Sequence, residues 1–394
     1  MDSALNMSIY SFTITTDKFM KNVLFVATVY KFFNFEKSDM SILKNMGYVI
    51  HTASNMAESN WLKDDGSLDE LNPVKHQIDF GRTPFSTSSI RAYKQLKELM
   101  FENHYDLIHC HTPVAAAIAR LAAIKTRRKG TKVIYTDHGF HFHKQSGWKN
   151  WVLFYPIEYI LSFFTDMIIS INKEDFGVIQ KFHTPMKRYI PGVGIDVERI
   201  SNMDFDRKAV RQKFNIPSDA FLLISIGELS VRKNQSVVME AMSILRNPKI
   251  YYILCGTGIM EQKYKELAKE LLLENNVIFA GYQSQDDVFK IAHSSDLGVL
   301  PSLIEGLGLA GLESMAAGLP VVASGVHGIN DYVIDNETGL TCSPSSAHDF
   351  AKAINRLYSD HTLYGYCREK ARLKALDFDI SKVSKLMYEY YKEV

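Results

Sequence analysis

Two glutamates, Glu305 and Glu313, form the clearest chemical pattern in this sequence. Seven residues separate them, and the backbone N–H groups of Gly306, Leu307 and Gly308 lie between. Such groups can donate to sugar hydroxyls or to phosphate when a helix begins nearby. A carboxylate at Glu313 can accept hydrogen bonds from a vicinal diol, the group that a ribose presents. The simpler alternative is that Glu305 caps the helix and Glu313 lies on a solvated face.

The elements around these glutamates are predicted from the residues that end them. In the segment 301–324, a strand ends at Pro301 and a helix then runs to about Ala317. Gly318 suits the position after a helix, and Pro320 cannot continue one. We therefore expect a strand, a glycine-rich loop and a short helix, with both carboxylates near the helix start.

A pair of cations, Arg232 and Lys233, follows the predicted strand 221–226 and precedes a helix that begins near Asn234. Cations beside a helix N-terminus can hold a diphosphate and stabilise the charge that builds on a leaving group. The alternative is a solvated basic loop. The position at a strand end favours the phosphate interpretation.

Five histidines fall at two predicted strand ends in the N-terminal half: His109, His111, His138, His141 and His143. A metal site is one interpretation, because alternate residues of a strand share a face. No carboxylate or cysteine set completes a recognisable ligand spacing. The sequence therefore predicts no metal, and it favours histidines that make local hydrogen bonds.

Strand-like and helix-like segments alternate along the chain. The predicted strands are 22–28, 49–53, 106–111, 132–136, 167–171, 221–226, 250–255, 277–280, 297–301 and 321–323. The predicted helices are 86–103, 114–128, 234–245, 260–273 and 286–293, with a last one at 381–391. This alternation predicts parallel sheets covered on both faces, in two doubly wound α/β domains.

The domain boundaries are predicted from the Pro- and Gly-containing segment 190–196, which interrupts both periods. An N-terminal extension spans 1–19, the first domain 20–195 and the second 196–375. The C-terminal helix region 376–394 is expected to pack back on the first domain. Ligands of doubly wound sheets bind at the carboxyl ends of strands, so we expect the site in the cleft between the domains.

Composition excludes several classes of protein. Lysine plus arginine number 45 against 44 for aspartate plus glutamate, so a nucleic-acid partner is not expected. Four scattered cysteines without a CxxC pattern argue against a disulfide framework and favour the cytoplasm. No apolar run reaches the roughly 18–20 residues of a membrane span.

The segment from Glu305 to Glu313 resembles the E-x7-E pattern of glycosyltransferase family 4, whose members have the two-domain GT-B fold. The resemblance implies that Glu305 contacts a donor sugar and Glu313 the nucleotide ribose. Lys233 matches a phosphate-binding lysine of the family. Glu228 stands where an arginine is usual, which leaves Arg232 as the candidate second cation.

His138, in a His-Gly pair, matches the family histidine that contacts the donor sugar. The stretch 135–143, together with Trp148 and Trp151, resembles enzymes that build bacterial exopolysaccharides and capsules. The resemblance implies a retaining, metal-independent transferase that moves a sugar from a nucleotide-sugar, UDP in preference to GDP, to a glycan or lipid-linked acceptor. It implies His138 and Glu305 as catalytic residues, and no cofactor.

Two other functions stay open: a UDP-sugar epimerase of the same architecture and a catalytically inactive scaffold subunit. Acceptor-binding guesses are Arg82, after a predicted strand, and Trp148. The aromatic stretch 148–164 and the basic stretch 125–132 are compatible with peripheral contact with the inner membrane or with a buried helix and a solvated loop. Asp204 and Asp206 form a DxD that we interpret as a decoy in an exposed stretch.

Overall fold

The computed structural model describes residues 21–57, 66, 68–81 and 86–394. Within them, a first parallel sheet of seven strands has the order β3-β2-β1-β4-β5-β6-β7. Its strands are β1 Lys21–Val29, β2 Tyr48–Asn55, β3 Val74–Gln77, β4 Leu107–Cys110, β5 Lys132–Asp137, β6 Met167–Ser170 and β7 Met186–Tyr189. The order reverses between β1 and β4, which is the topological switch point where such sheets bind ligands.

The second sheet has six parallel strands in the order β10-β9-β8-β11-β12-β13, counted over the same described residues. Its strands are β8 Phe221–Ile226, β9 Ile250–Cys255, β10 Val277–Gly281, β11 Leu297–Leu300, β12 Val321–Ser324 and β13 Gly339–Cys342. Its switch point lies between β8 and β11. The loops after those two strands carry the predicted cations and Glu305.

Helices cover both sheets. In the first half they are α1 Lys37–Asn45, α2 Thr87–Glu102, α3 Pro113–Ala122, α4 Ile124–Arg127, α5 Trp148–Leu161 and α6 Lys173–Ile179. In the second half they are α7 Val197–Ser201, α8 Arg207–Lys213, α9 Ser236–Leu245, α10 Glu261–Glu270, α11 Gln285–His293, α12 Leu309–Ala316, α13 Ala347–Ser359, α14 His361–Ala375 and α15 Ile380–Lys392. Short 3-10 helices span Tyr30–Glu36, Asp69–Leu71, Ser162–Phe164, His327–Asp331 and Leu376–Phe378.

The predicted fold class, two doubly wound α/β domains, is confirmed. The sequence missed three strands, β3, β7 and β13, and each lies at an edge of its sheet. Two of them, β3 and β7, have no buried residue, so no apolar run marks them. The predicted helix 114–128 is in fact two helices, α3 and α4, that meet at Ala123.

The C-terminal helix α15 lies against α1 of the first domain. The hydroxyl groups of Ser38 and Ser384 are 2.7 Å apart, and the Tyr391 hydroxyl donates to Asp39 Oδ2 over 2.9 Å. Ile380 N donates to the carbonyl of Ile195 at the junction between the sheets. The end of the chain is therefore part of the first domain's surface around the switch point.

Among the described helices, none combines the length and the apolar character that crossing a bilayer requires. The cysteines are buried with free thiols, at positions 110, 255, 342 and 367. This agrees with the sequence pattern, which offers no disulfide pairing.

Candidate active site

The loop after β11 positions the two glutamates. Gly308 is the residue before α12, and its φ of 84° is in the left-handed region that favours glycine. The Tyr332 hydroxyl donates to the Gly308 carbonyl over 2.7 Å. No side-chain hydrogen bond caps α12. The alternative in which Glu305 caps this helix is therefore wrong.

Glu305 is instead the centre of an ion cluster. Its carboxylate lies 2.5 Å from Lys233 Nζ and 3.0 Å from Arg232 Nη1, and it accepts a hydrogen bond from Ser302 Oγ over 2.9 Å. Burial alone would raise the pKa of Glu305, but Lys233 and Arg232 outweigh it and lower the pKa below its usual value. The structure thus brings together three residues that the sequence placed on two separate loops.

Glu313 lies one turn into α12 and is only partly exposed. Burial raises the pKa of its carboxyl to about 7, and the charge of Lys233 opposes that rise. This carboxyl therefore changes its charge near neutral pH, whereas Glu305 stays ionised. The pKa is therefore lowered for Glu305 in the loop and raised for Glu313 in the helix that follows it.

Backbone donors remain available between the glutamates. In the described structure, the N–H groups of Gly306, Leu307 and Gly308 donate to no protein acceptor. Within the cleft, these groups offer hydrogen bonds to an incoming anion or hydroxyl. The sequence predicted unpaired N–H groups at the start of α12, and that they point into the cleft stays a prediction.

The first domain contributes His138, which follows β5 and faces this loop. A Cβ added at Gly306 would lie 2.0 Å from the His138 carbonyl oxygen, and one at Gly139 would lie 2.8 Å from the Gly306 Cα. Glycine is required at both positions because the two loops touch through their backbones. His138 and the loop after β11, residues 301–308, are therefore held together without an intervening side chain; we call this segment the donor loop below, after the role proposed for it.

Glu36 is the residue of this site that sequence reasoning missed. It is 3% exposed, and its carboxylate lies 3.3 Å from His138 Nε2 and 3.4 Å from His111 Nδ1. His111 Nδ1 and His138 Nε2 are 3.2 Å apart. The only signal in the sequence was its place in the loop after β1, which ends at the same sheet edge as β4 and β5.

Burial favours the neutral forms of these three groups. Burial, followed by the charge of Asp39, raises the pKa of Glu36 well above its usual value. Burial lowers the pKa of His138 to about 3 and lowers the pKa of His111 well below 6.5. The cluster of Glu36, His111 and His138 is therefore polar but carries no net charge in this state.

A second buried chain of hydrogen bonds lies behind this group. The Tyr391 hydroxyl is 2.9 Å from both Asp39 Oδ2 and His109 Nδ1, and His109 Nε2 is 2.8 Å from Thr136 Oγ1. Burial raises the pKa of Asp39 to about 7. Helix α15 thus supports the strand ends that carry the histidines.

Glu36, His111 and His138 offer one ligand atom each within 4.8 Å of one another, so we tested whether they fit a metal. Histidines that bind metal almost always donate their other ring N–H to a second group. His111 Nε2 is buried and has no hydrogen-bond partner in the described structure. Glu36 Oε1 is likewise buried without a hydrogen-bond partner in the described structure. The group that would orient His111 toward a metal is not among the described residues, so we place no metal here.

A cavity of about 440 Å³ opens where the domains meet at the junction. It is lined by Glu313 from the second domain and by Lys37 and Ser38 from α1. A larger cavity, of about 800 Å³, lies on the first domain against α2 and α4. The smaller cavity reaches Glu313 at the start of α12, and we assign nucleotide binding to this side of the cleft.

The other predicted residues lie elsewhere. Arg82 falls outside the described residues. Trp148 is 71% exposed at the first turn of α5. Asp206 caps α8 by accepting from the backbone N–H groups of Lys208 and Ala209, which explains the DxD as a helix cap.

The two remaining strand-end histidines make local contacts. The His141 ring lies 5.0 Å from the Phe154 ring, and the His143 ring stacks on His327 of the second domain at 4.9 Å. Neither joins the cluster around Glu36. The sequence-level alternative of a shared histidine metal site has no support from their positions.

Two doubly wound domains that meet at a cleft, with a charged strand-end loop facing a histidine, define the GT-B class of glycosyltransferases. A crystal structure of Anabaena Alr3699/HepE in complex with UDP and glucose superimposes with a TM-score of 0.76, covering 95% of this chain and 100% of the other at 19% identity. WaaG, a glycosyltransferase involved in lipopolysaccharide biosynthesis, superimposes with a TM-score of 0.69 at 18% identity, covering 93% and 99%. These likenesses show the fold.

Sequence comparisons then identify the family. Residues 206–374 match the family described as Glycosyl transferases group 1, and residues 50–199 match Glycosyltransferase Family 4. The chain is 35% identical over 377 residues to the putative glycosyltransferase EpsD of Bacillus subtilis (strain 168), covering 94% of this chain and 96% of that protein. This chain belongs to glycosyltransferase family 4, and it is a hexosyltransferase-type enzyme.

A further relative is named for its reaction. The UDP-Gal:alpha-D-GlcNAc-diphosphoundecaprenol alpha-1,3-galactosyltransferase of Escherichia coli is 28% identical over 288 residues, covering 70% of this chain and 71% of that enzyme. The name of that enzyme describes a nucleotide-sugar donor and a lipid-linked acceptor.

Proposed function

We propose that this chain transfers a sugar from a UDP-sugar, with retention of configuration, to a glycan or lipid-linked acceptor during exopolysaccharide or capsule biosynthesis. The observation that carries the proposal is the buried Glu305, paired with Lys233 and Arg232 beside unoccupied backbone N–H groups. Cations and amides already in place can stabilise the charge of a departing diphosphate without reorganisation.

The proposal gives a role to each of five side chains around the cleft. Lys233 and Arg232 hold the diphosphate, because both cations pair with Glu305, the residue next to Gly306. Glu305 orients these cations and accepts from the donor sugar. Glu313 accepts from the ribose hydroxyls. His138 contacts the sugar from the opposite domain, and the acceptor hydroxyl attacks from the face that the nucleotide leaves.

One solved structure of the same fold and one sequence relative support a UDP-sugar as the donor. Alr3699/HepE was crystallised with UDP-glucose, and the Escherichia coli relative is named for UDP-Gal. We propose that no metal is needed at the diphosphate, since Lys233 and Arg232 supply positive charge. The same E. coli name supports a lipid-linked acceptor.

The test uses the full chain with a panel of UDP- and GDP-sugars and a lipid-linked acceptor, followed by NMR. We expect a product whose new bond keeps the donor's anomeric configuration. The same yield is expected when a chelator is present to remove divalent metals. An inverted product would refute retention. Conversion of the donor alone would indicate an epimerase, and undetectable donor binding by calorimetry would indicate an inactive scaffold.

We also propose that the first domain rests on the cytoplasmic face of the membrane. Large apolar side chains are exposed along one side of α5 and the turn after it: Trp148, Val152, Ile160 and Phe163. Arg127 Nη1 donates to the Phe163 carbonyl over 3.2 Å, which places the basic stretch 125–132 beside this apolar face. Each cation near an anionic surface contributes about 1 kcal/mol, and aromatic side chains favour the interface.

Vesicle co-sedimentation tests this surface. We expect binding to vesicles that contain phosphatidylglycerol, none to neutral phosphatidylcholine, and weakening in high salt. A variant with Trp148→Ser and Arg128→Gln should bind markedly less, while Leu272→Ser, which removes an exposed leucine of the second domain, should bind as the wild type does. Equal binding by all three proteins would refute the proposal.

A further inference from the structure

A buried ion pair joins the two domains beside the donor loop. His327, in the 3-10 helix after β12, places its Nε2 3.0 Å from Oδ1 of Asp175 in α6, and both side chains are shielded from solvent. The pair connects residues 152 positions apart in the chain. None of the reaction roles proposed above uses it.

Two further hydrogen bonds cross the same interface. Asn172 Nδ2 donates to the Gly306 carbonyl over 3.1 Å, and Lys173 N donates to Asp331 Oδ2 over 2.8 Å. Asn172 also donates to Asp175 Oδ2 over 2.7 Å. The side chain that receives His327 is therefore bonded to the side chain that holds the donor loop.

Backbone packing makes this coupling stiff. A Cβ at Gly328, the residue after His327, would lie only 1.9 Å from the Gly306 carbonyl oxygen. Gly306 in turn touches His138 and Gly139, as described above. A shift of His327 away from Asp175 must therefore move the donor loop relative to His138.

The backbone of His327 is itself strained, with a φ of 39° in the left-handed region. A non-glycine residue in such a region costs of order 1–3 kcal/mol and persists only where its surroundings impose it. The surroundings here are Asp175 on one side and the Gly306 loop on the other. Loss of the ion pair removes one of the contacts that impose this conformation, so the segment around His327 can then relax.

We propose that His327 and Asp175 form a proton-dependent latch that closes the cleft and aligns Gly306 with His138. His327 is thus a positioning residue. Only the protonated ring forms an ion pair with Asp175, whereas the neutral ring keeps at most one neutral hydrogen bond, so the latch is strongest in acid and weakens as pH rises. This inference concerns the same site as the proposed function, and its kinetic consequence rests on that proposal.

The charges around His327 support this direction. Asp175 and Glu174 approach from α6, Asp331 from its own 3-10 helix, and His143 stacks on the ring from the loop after β5. Asp137 at the end of β5 faces Asp175, and burial together with the charge of Asp175 raises the pKa of Asp137. Burial lowers the pKa of His327, but hydrogen bonding and charge from Asp175, with Glu174, outweigh it and raise the pKa above 6.5. A raised folded-state pKa means that the stabilisation is complete below 6.5 and is lost as pH rises through the higher value.

Two measurements test the latch without using the reaction. NMR of ring-labelled histidines, assigned with His327→Asn, should show His327 titrating above pH 6.5. Small-angle X-ray scattering of the full chain should give a radius of gyration near the ~21 Å of a compact chain of this length at pH 6 and a larger one at pH 8.5. His348, an exposed histidine of α13, supplies the control variant. A His327 midpoint at or below 6.5, or a radius independent of pH, would overturn the latch.

Variants separate charge from shape. His327→Asn should give the larger radius already at pH 6, whereas His348→Asn should follow the wild type. His327→Arg keeps a positive charge and should stay compact at both pH values. If His327→Asn is as compact as the wild type at pH 6, the latch is refuted, whatever the arginine variant does.

A kinetic readout then links the latch to transfer. With saturating donor and acceptor, kcat of the wild type should fall about tenfold from pH 6 to pH 8.5, as one titrating group removes the closed form over more than one pH unit. His327→Asn should show the low kcat at both pH values with unchanged UDP affinity. An inactive wild type would refute the proposed function and leave the scattering result to decide the latch.

Discussion

Two buried glutamates on opposite sides of the cleft, Glu305 and Glu36, are held in opposite electrostatic states. On the second domain, Glu305 is buried against Lys233 and Arg232, and its pKa is lowered. On the first domain, Glu36 is equally buried but faces His111 and His138, and its pKa is raised. Burial is similar for the two groups, so the neighbouring charge decides which one ionises.

The difference indicates how the work is divided. A charged cluster is suited to a diphosphate, which brings about two negative charges into the cleft. A neutral hydrogen-bonded cluster is suited to sugar hydroxyls, which both donate and accept. Substitutions that remove charge should therefore be severe on one side and mild on the other.

The largest effect is expected for Glu305→Gln. The amide keeps the shape of the side chain but no longer holds Lys233 and Arg232 in place, and we expect kcat to fall by about 10²–10³-fold, as when one preorganised group is lost. Steady-state transfer assays with the full chain measure this, with thermal unfolding to show that the variant folds. Lys233→Met should lose a similar factor.

Asp219→Asn is the matched control, because Asp219 forms an exposed ion pair with Lys249 in the same domain. An exposed pair contributes about 0–1 kcal/mol, so this variant should keep wild-type rates. If Glu305→Gln stays within threefold of the control, the charged cluster has no role in transfer.

The next effect concerns Glu313 and pH. Its carboxyl has a pKa of about 7 in the unliganded protein, and only the ionised form accepts from both ribose hydroxyls. UDP affinity should therefore rise by about tenfold between pH 6 and pH 8, the change expected for one group that must lose a proton. Calorimetric titration of UDP measures it, and Glu313→Gln should give a weak affinity that does not change over this range. A wild-type affinity independent of pH would show that the ribose does not meet this carboxyl.

The strands, loops and helix of the second-domain side could be predicted from the sequence because local residues mark them, whereas the roles of their side chains came from the family resemblance and stay predictions. Glu305, Glu313 and Lys233 lie in short segments whose strand, loop and helix are marked by glycine and proline. The pairing of Lys233 and Arg232 with Glu305 was not predicted, since it joins loops 72 and 73 positions apart.

On the first-domain side, the sequence indicated one of the two residues discussed here and missed the other. His138 was found through its His-Gly pair, but Glu36 lies in a 3-10 helix of aromatic and polar residues that has no glycine pattern. Its meaning depends on His111 and His138, which the order of β1, β4 and β5 brings beside it. The edge strands β3 and β7 were missed for a related reason, because their residues are exposed and leave no apolar run.

The smallest effect is expected for Glu36→Gln. Because the pKa of Glu36 is raised well above 4.5, its carboxyl is protonated in the folded protein and an amide replaces it with the same shape and no change of charge. Transfer should change by less than about threefold. A whole hydrogen bond contributes roughly 0.5–1.5 kcal/mol, and the amide would lose only part of one. Glu36→Ala should be clearly worse, since it leaves a cavity and removes the neighbour of both histidines.

Stability against pH gives an independent check on the same variant. A carboxyl whose pKa is raised on folding stabilises the protein below its unfolded-state value, and that contribution is lost as pH rises through the folded-state value. The wild type should therefore lose melting temperature toward high pH more steeply than Glu36→Gln, which has no proton to release. If the glutamine variant instead loses 10²-fold in kcat, or melts with the wild-type slope, Glu36 is ionised. The two sides of the cleft would then share one electrostatic design, and His138 would face a carboxylate throughout the reaction.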